Sequence, residues 1–235
     1  LVFLAADGVE AQSIVRAAVA VELIHSATLV HDDVLDAASL RRGVPTVVAT
    51  AGRGAATATG DLLFARAFAE LVRNGRTDEV RVLSEATSAL AEGELQQRTD
   101  AWDAAVPVER YLRRCELKTA RLFEAACRLG ALEAGGAPDE LGSFGRRIGL
   151  AFQLLDDVLD VSGPAERTGK HRGTDLLDGT VTLPLIIARE RDPELARVEL
   201  REVRTPAQAE ALCDAIAATG ALEAARADAL EMVLE

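Results

Sequence analysis

The chain has 235 residues, 49% of them hydrophobic and only 3% aromatic, and is long enough to bury one sizeable core. Its formal net charge of -12 argues against a nucleic-acid partner, which calls for a broad basic face. Three cysteines are too few for a disulfide framework, so we expect reduced thiols and a cytoplasmic location.

All the predicted elements are helices, because apolar residues recur at helical spacing and no convincing alternating pattern appears. The opening residues resemble the inside of a helix, so we expect further chain before Leu1. No apolar run approaches the roughly 20 residues of a membrane span, and no signal peptide is visible. The sequence predicts a single all-α domain over 1–235, with helices over 11–38, 58–72, 77–97, 107–129 and 141–161, a long loop over 162–178, a helix starting near 184, and a final hairpin over 207–234.

One pentapeptide, Asp-Asp-Val-Leu-Asp, occurs twice, ending at Asp36 and again at Asp160, each time at the C-terminal end of an apolar helix. Asp32 and Asp36 lie one helical turn apart, so their carboxylates share a face and repel each other. They also lie where the helix dipole disfavours negative charge. A hard cation resolves this conflict, and Mg²⁺ characteristically uses one or two carboxylates with substrate phosphate oxygens. Solvated helix ends are the alternative, which the repetition disfavours.

Basic side chains flank both acidic motifs. His25 lies two turns before Asp32 on the same helical stripe, where it is either a core residue or part of the site. Arg41 and Arg42 follow the first motif, and guanidinium groups bind phosphates bidentately. Residues 168–173 place a Lys, a His and an Arg on a glycine-rich loop. Lys118 gives a weaker signal, because a lysine within a helix usually faces solvent.

The chain resembles the trans-isoprenyl diphosphate synthases, the polyprenyl synthetase family, over nearly its whole length. The resemblance rests on His25, both aspartate-rich motifs and five further segments, namely Arg-Arg-Gly-Val-Pro-Thr at 41–46, Gly-Asp-Leu-Leu at 60–63, Lys-Thr-Ala at 118–120, Phe-Gln-Leu-Leu at 152–155, and the run from Gly169 to Pro184. It implies an isoprenoid-synthase-type bundle of long, mostly antiparallel helices around a central cavity, usually homodimeric.

The resemblance also implies the substrates and the site. An allylic diphosphate would be bound through three Mg²⁺ ions and isopentenyl diphosphate would be the second substrate. The implied metal ligands are Asp32, Asp36, Asp156 and, more distantly, Asp160. The implied phosphate contacts are Arg41, Lys118 and Lys170 for the allylic substrate, and His25 and Arg42 for isopentenyl diphosphate. Lys118, Thr119 and Gln153 are the implied catalytic residues, the last two lying near the allylic cation. An aromatic residue at the position of Ala27 stops chain growth early in the family, so this small residue predicts an open channel and a product of geranylgeranyl length or longer.

The sequence departs from the family pattern at two places. The family's basic segment for isopentenyl diphosphate would precede Leu1, and Thr180 replaces a lysine found in many members.

Two other functions are the alternatives. A class I terpene cyclase is disfavoured, because its second metal motif normally mixes Asn, Ser and Glu. A non-catalytic partner subunit of a heteromeric synthase is disfavoured because both aspartate motifs are intact.

Overall fold

The computed structural model describes residues 1–163 and 172–234, and these are overwhelmingly helical. The all-α prediction is confirmed, since strands in the described residues amount to one hairpin of Leu40–Arg41 with Val44–Pro45. The helices up to residue 162 are α1 (Val2–Ala5), α2 (Gln12–Leu35), α3 (Val47–Val72), α4 (Thr77–Asp100), α5 (Val108–Cys115), α6 (Arg121–Ala134) and α7 (Pro138–Ser162). The later helices are Thr174–Leu177, Leu183–Arg191, Pro206–Ala218 and Ala221–Leu234, with 3-10 turns at Leu195–Arg197 and Leu200–Glu202.

Helix α3 begins eleven residues earlier than the apolar pattern predicted, at Val47. Its start is fixed by Thr46, whose hydroxyl oxygen accepts a hydrogen bond of 3.2 Å from the Ala49 amide. Gly52 interrupts the helix with φ at 82°. The first turns are rich in alanine and glycine and carry no apolar stripe, which is why periodicity did not reveal them.

The helix predicted over 107–129 is not uniform. Helix α5 gives way at Glu116 to five residues of π-helix, Glu116–Ala120, before α6 resumes at Arg121. A π segment inserts an extra residue in the helix and shifts the direction of the following side chains, and such segments are frequent at functional sites. The segment contains Lys118 and Thr119, both of which the sequence had singled out.

The chain divides into two compact units. The first unit comprises Leu1–Leu90 with Arg121–Arg146, and the second comprises Ala91–Ala120 with Arg147–Glu235. The first has a core of aliphatic residues, among them Ile14, Ile24, Leu71, Leu83 and Leu129. The second has its own core, which includes Tyr111, Leu154, Leu176, Leu185 and Ile216. The assignment of residues 1–235 to a single domain stays a prediction.

Helix α2 is the central helix of the first unit and packs along α3. By length and composition alone it could cross a membrane, a test that apolar core helices of bundles also pass. Its buried positions, Ile14, Ala17, Ala20, Ile24 and Ala27, follow helical spacing and have at most 1% of their surface exposed. These positions form the face of α2 that packs within the first unit.

Candidate active site

The three aspartates of the first motif differ in their surroundings. Asp32 is half-buried, Asp36 is exposed and directly follows α2 as its C-cap, and Asp33 between them is 6% exposed. Asp33 accepts a hydrogen bond of 2.8 Å from Arg41 Nε, a charge-assisted contact. Successive helical residues point about 100° apart, so Asp33 is buried while Asp32, one residue before it, stays half-buried.

The segment after the first motif is the two-residue hairpin. Its turn residues, Arg42 and Gly43, have φ of 52° and 77°, as a tight primed turn requires. Arg41 lies in the first strand and is held by Asp33, whereas Arg42 is exposed at the turn. The hairpin thus fixes Arg41 beside the motif and presents Arg42 to solvent.

Two histidines of α2, His25 and His31, have different surroundings. His25 is exposed, so the interpretation of it as a core residue is wrong. His31 immediately precedes the motif, and its Nε2 lies 3.3 Å from both Asp61 Oδ1 and the Thr57 carbonyl oxygen. A Cβ at Gly60 would lie 2.2 Å from this nitrogen, so only glycine allows the contact. The Gly60-Asp61 pair is visible in the sequence, but its contact with His31 was not predicted.

Lys118 on the π segment is bound by α4. Its Nζ donates to Glu94 Oε2 at 2.6 Å and to Gln97 Oε1 at 3.2 Å. Burial alone would raise the pKa of Glu94, but Lys118 and Arg98 outweigh burial and lower it. Close approach of the two helices depends on Gly93, where a Cβ would come within 2.7 Å of the Lys118 backbone nitrogen. Lys118 is therefore ion-paired and held, which a solvated lysine would not be.

The second motif repeats the arrangement of the first. Asp156 is exposed, Asp160 is half-buried, and Asp157 between them is 4% exposed. Burial raises the pKa of Asp157, and the hydrogen bonds from Tyr111 and Gln153 offset only part of this rise, so the net value is about 6. The Asp160 carboxylate accepts the backbone amides of Thr174 and Asp175, each at 3.2 Å, and so caps the helix Thr174–Leu177.

The two residues predicted to lie near an allylic cation are in direct contact. Thr119 Oγ1 lies 2.6 Å from Gln153 Oε1, which joins the π segment to α7. Elsewhere in the second unit, burial raises the pKa of Asp175 well above its usual value, and the negative charge of Asp160 adds to this rise. The structure therefore brings Thr119 and Gln153 together in the second unit, as it brings Asp33 and Arg41 together in the first. Lys170 lies outside the described residues.

The prediction that Ala27 borders an open channel is wrong. Ala27 has no exposed surface, because it continues the buried stripe of Ala20 and Ile24 along α2. The neighbouring Thr28 is half-buried and donates its hydroxyl proton to the His25 carbonyl oxygen at 2.8 Å. The reading of Ala27 as a helix-packing contact is the one that the structure favours.

The donor chemistry of both motifs fits a hard cation. Each motif offers carboxylate oxygens at its first and fifth positions, and these are the ligands that Mg²⁺ prefers. Within residues 1–163 and 172–234, no three Asp, Glu, His or Cys side chains form a closed metal-binding group. An arrangement that relies on substrate phosphates for the remaining ligands needs no such group.

Comparison with known proteins gives consistent results. The family model for polyprenyl synthetase matches residues 1–218. Octaprenyl diphosphate synthase of Escherichia coli is 40% identical over 233 residues, which cover 96% of this chain and 72% of that protein. Heptaprenyl diphosphate synthase component 2 of Geobacillus stearothermophilus is 42% identical over 211 residues, covering 88% of this chain and 66% of that protein. A crystal structure of polyprenyl synthase from Caulobacter crescentus, in complex with calcium and isoprenyl diphosphate, superposes with a TM-score of 0.91 at 36% identity, covering 99% of this chain and 75% of that one.

Proposed function

Because the chain belongs to the polyprenyl synthetase family, we propose that it joins isopentenyl diphosphate to an allylic diphosphate, head to tail, as a prenyltransferase. The product is a trans-polyprenyl diphosphate of geranylgeranyl length or longer. Relatives named for geranylgeranyl, heptaprenyl and octaprenyl products support this range.

One observation in the structure carries the proposal. Both copies of the acidic pentapeptide bury their second aspartate and bond it to protein, while the first and fifth carboxylates remain at least partly accessible. Burying an unpaired carboxylate is costly, so a stable protein retains this pattern only when the inner acid has a partner. A shared metal-binding role for the accessible outer acids explains why the same spacing occurs twice.

The proposed metal ligands are Asp32, Asp36 and Asp156, with Asp160 acting more distantly, and we propose three Mg²⁺ ions with the diphosphate bound. Such ions neutralise charge that develops on a departing diphosphate. Asp160 is bonded to the amides of Thr174 and Asp175, which supports the more distant role. Both motifs would serve the same reaction.

The proposed substrate contacts divide by charge and position. Arg41, Lys118 and Lys170 would bind the allylic diphosphate, and His25 and Arg42 would bind isopentenyl diphosphate. The exposure of His25 and Arg42 supports their availability to an anionic substrate. Asp33 accepts a hydrogen bond from Arg41 Nε, and this contact holds the Arg41 guanidinium in one direction.

The reaction breaks the bond between the allylic carbon and its diphosphate oxygen and leaves an allylic cation. The double bond of isopentenyl diphosphate attacks that carbon, and a proton then leaves the new cation for the released diphosphate. Thr119 and Gln153 would stabilise the first cation with oxygen dipoles. Such fixed dipoles cost no reorganisation during the reaction, which makes them effective in a site that excludes water.

A non-catalytic partner subunit is the second candidate, since one relative is named as a component of a synthase. A class I terpene cyclase is a weaker third. We propose a homodimer in the cytoplasm, with no nucleic-acid or transmembrane role.

The test is turnover by the protein on its own. It is incubated with labelled isopentenyl diphosphate and, in separate reactions, each allylic primer, with Mg²⁺ or with chelator, and the products are sized. We expect chain extension with Mg²⁺ alone. Extension only after a second protein is added would favour the partner-subunit role, while cyclic hydrocarbon would favour the cyclase.

A further inference from the structure

We propose that Tyr111 and Asp157 are positioning residues for this reaction, because they fix the orientation of the Gln153 amide and, through it, the Thr119 hydroxyl. The inference rests on the proposed prenyl transfer and concerns the second unit alone. It assigns to the middle aspartate of the second motif a role distinct from metal binding.

Three short hydrogen bonds join four side chains in sequence. Tyr111 Oη donates to Asp157 Oδ2 at 2.6 Å, and Gln153 Nε2 donates to Asp157 Oδ1 at 2.7 Å. Thr119 Oγ1 donates to Gln153 Oε1 at 2.6 Å. Tyr111 has no exposed surface and Asp157 has 4%, so water does not compete for these contacts.

The direction of every link follows from the carboxylate. An ionised carboxylate only accepts hydrogen bonds, so the NH₂ end of the Gln153 amide must face Asp157. The amide oxygen is then turned to the opposite side, where it accepts the single hydroxyl proton of Thr119. With that proton committed, the remaining lone pairs of the Thr119 oxygen are left to face positive charge. Without a charged acceptor, the two ends of the amide would have no fixed assignment.

Tyr111, the first of these four hydrogen-bonded side chains, is itself held in place by its surroundings. The Arg114 guanidinium lies 5.4 Å from the centre of the Tyr111 ring and also hydrogen-bonds the Val181 carbonyl oxygen. Tyr111 and Val181 both belong to the hydrophobic core of the second unit. The four side chains therefore connect the core to Thr119 on the π segment.

Asp156 and Asp157 differ in exposure, which separates the proposed metal ligand from the proposed positioning residue. Asp156 is exposed, whereas Asp157 has both carboxylate oxygens bonded to protein side chains. A carboxylate so occupied has little capacity left for a metal ion. Its position one residue after a proposed ligand places it on the inner side of α7, where it acts on Gln153.

The test uses Asp157→Asn, which keeps the shape but gives the inner position an NH₂ group. Wild type is assayed in parallel, so a failure of the proposed function would appear as absent wild-type turnover. We expect kcat to fall about 10- to 100-fold, the range typical of residues that orient others, with KM for both diphosphates within about twofold of wild type. Asp100→Asn is the matched control. Asp100 is 3% exposed and paired with Arg110 at 2.7 Å, outside the chain of contacts, so we expect its kcat to stay at the wild-type level.

The deciding measurement is a double-mutant cycle. If Asp157 acts through Gln153, then Asp157→Asn changes kcat by less than about twofold when Gln153→Ala is already present. Equal losses in both backgrounds would overturn the proposal, as would a change confined to KM. If Asp157→Asn does not fold, Tyr111→Phe replaces it in the same cycle and is judged by the same criterion.

Discussion

Lys118 and Glu94 form an ion pair in which Nζ lies 2.6 Å from Oε2, so any diphosphate that bound Lys118 would compete with this carboxylate for the ammonium group. Glu94 also receives Arg98 Nε at 2.8 Å, so the two cations share one acid. If Lys118 binds the allylic diphosphate, Glu94 lowers the affinity for that substrate in proportion to the strength of the pair.

Glu94→Gln removes the competing charge. The Lys118 side chain is 29% exposed, and a pair of this kind is worth up to about 1 kcal/mol. We therefore expect KM for the allylic substrate to fall by up to about fivefold, with KM for isopentenyl diphosphate unchanged. Initial rates with each substrate varied separately give both constants. Glu116→Gln, which removes an ion pair of 3.2 Å between the first residue of the π segment and Arg113 of α5, is the control. A higher allylic KM in Glu94→Gln would contradict the assignment of Lys118.

The outer and inner acids of the first motif should respond differently to substitution. Asp32→Ala or Asp36→Ala removes an oxygen ligand and should lower kcat at least about 100-fold, as should Asp156→Ala in the second motif. Asp33→Asn leaves the proposed ligands in place but weakens the hold on Arg41, so its main effect should be a higher allylic KM. Rates measured over a range of Mg²⁺ concentrations separate the two cases. Full turnover in chelator by wild type would remove the basis of this prediction.

The basic residues should divide between the two substrates. Arg42→Ala and His25→Ala should mainly raise KM for isopentenyl diphosphate, because both side chains are exposed and can donate hydrogen bonds to a phosphate. Lys170→Ala should mainly impair use of the allylic substrate. The measurement is the same two-substrate kinetics. If Arg42→Ala weakened only the allylic substrate, the assignment of the two diphosphates would be reversed.

Sequence reasoning recovered the helical framework because apolar spacing is encoded locally, and the candidate ligands were proposed from an equally local pattern. The repeat of Asp-Asp-Val-Leu-Asp fixes the outer acids, and the helix predicted over 11–38 was found at Gln12–Leu35. One contact of Asp157 depends on a partner that is distant in sequence, Tyr111, which lies 46 residues earlier. No periodicity encodes such a pair. The π segment was missed for a similar reason, since Glu-Leu-Lys-Thr-Ala has the composition of an ordinary helix.

Gly93 tests whether the π segment is held by close packing. An added Cβ would lie 2.7 Å from the Lys118 nitrogen and 3.0 Å from its Cα, both of them backbone atoms that cannot rotate away. Gly93→Ala should therefore displace the segment, lower the melting temperature and reduce kcat about tenfold or more, because small shifts of positioned groups are costly. Gly54→Ala, on α3 with open space around its position, is the control and should change neither quantity. Unaltered kcat in Gly93→Ala would show that the close approach is not needed for activity.

Glu79 predicts a dependence of stability on pH. It has no exposed surface, Asn74 Nδ2 donates to its Oε2 at 3.0 Å, and burial raises its pKa to about 8. In the unfolded chain its pKa returns to 4.5, so between about pH 4.5 and 8 unfolding releases a proton and stability falls as pH rises. The pKa of Glu133, its neighbour, is lowered, so the contribution of that group is already present across this window.

Glu79→Gln removes the titrating group, and its melting temperature should decline less than that of wild type between pH 5 and pH 8. Glu85→Gln, an exposed change on the same helix, should follow wild type. Parallel pH profiles for wild type and Glu79→Gln would show that this carboxyl does not titrate abnormally in the folded protein.

The length of the product is tested at Ala27, about 7.5 Å from Asp32 along α2 at 1.5 Å per residue. The structure leaves no exposed surface on Ala27, so a phenylalanine there must push apart α2 and its neighbours. Overpacking of this kind typically costs about 1–3 kcal/mol. We therefore expect Ala27→Phe to lower the melting temperature, while product length stays at geranylgeranyl or longer. Ala18→Phe is the control for bulk added on α2 at a half-buried position about two and a half turns earlier, and it should cost less stability. Products sized by chromatography give the outcome: a shift of Ala27→Phe to farnesyl length at wild-type stability would show that a growing chain passes this residue, and that the packing around it opens during synthesis.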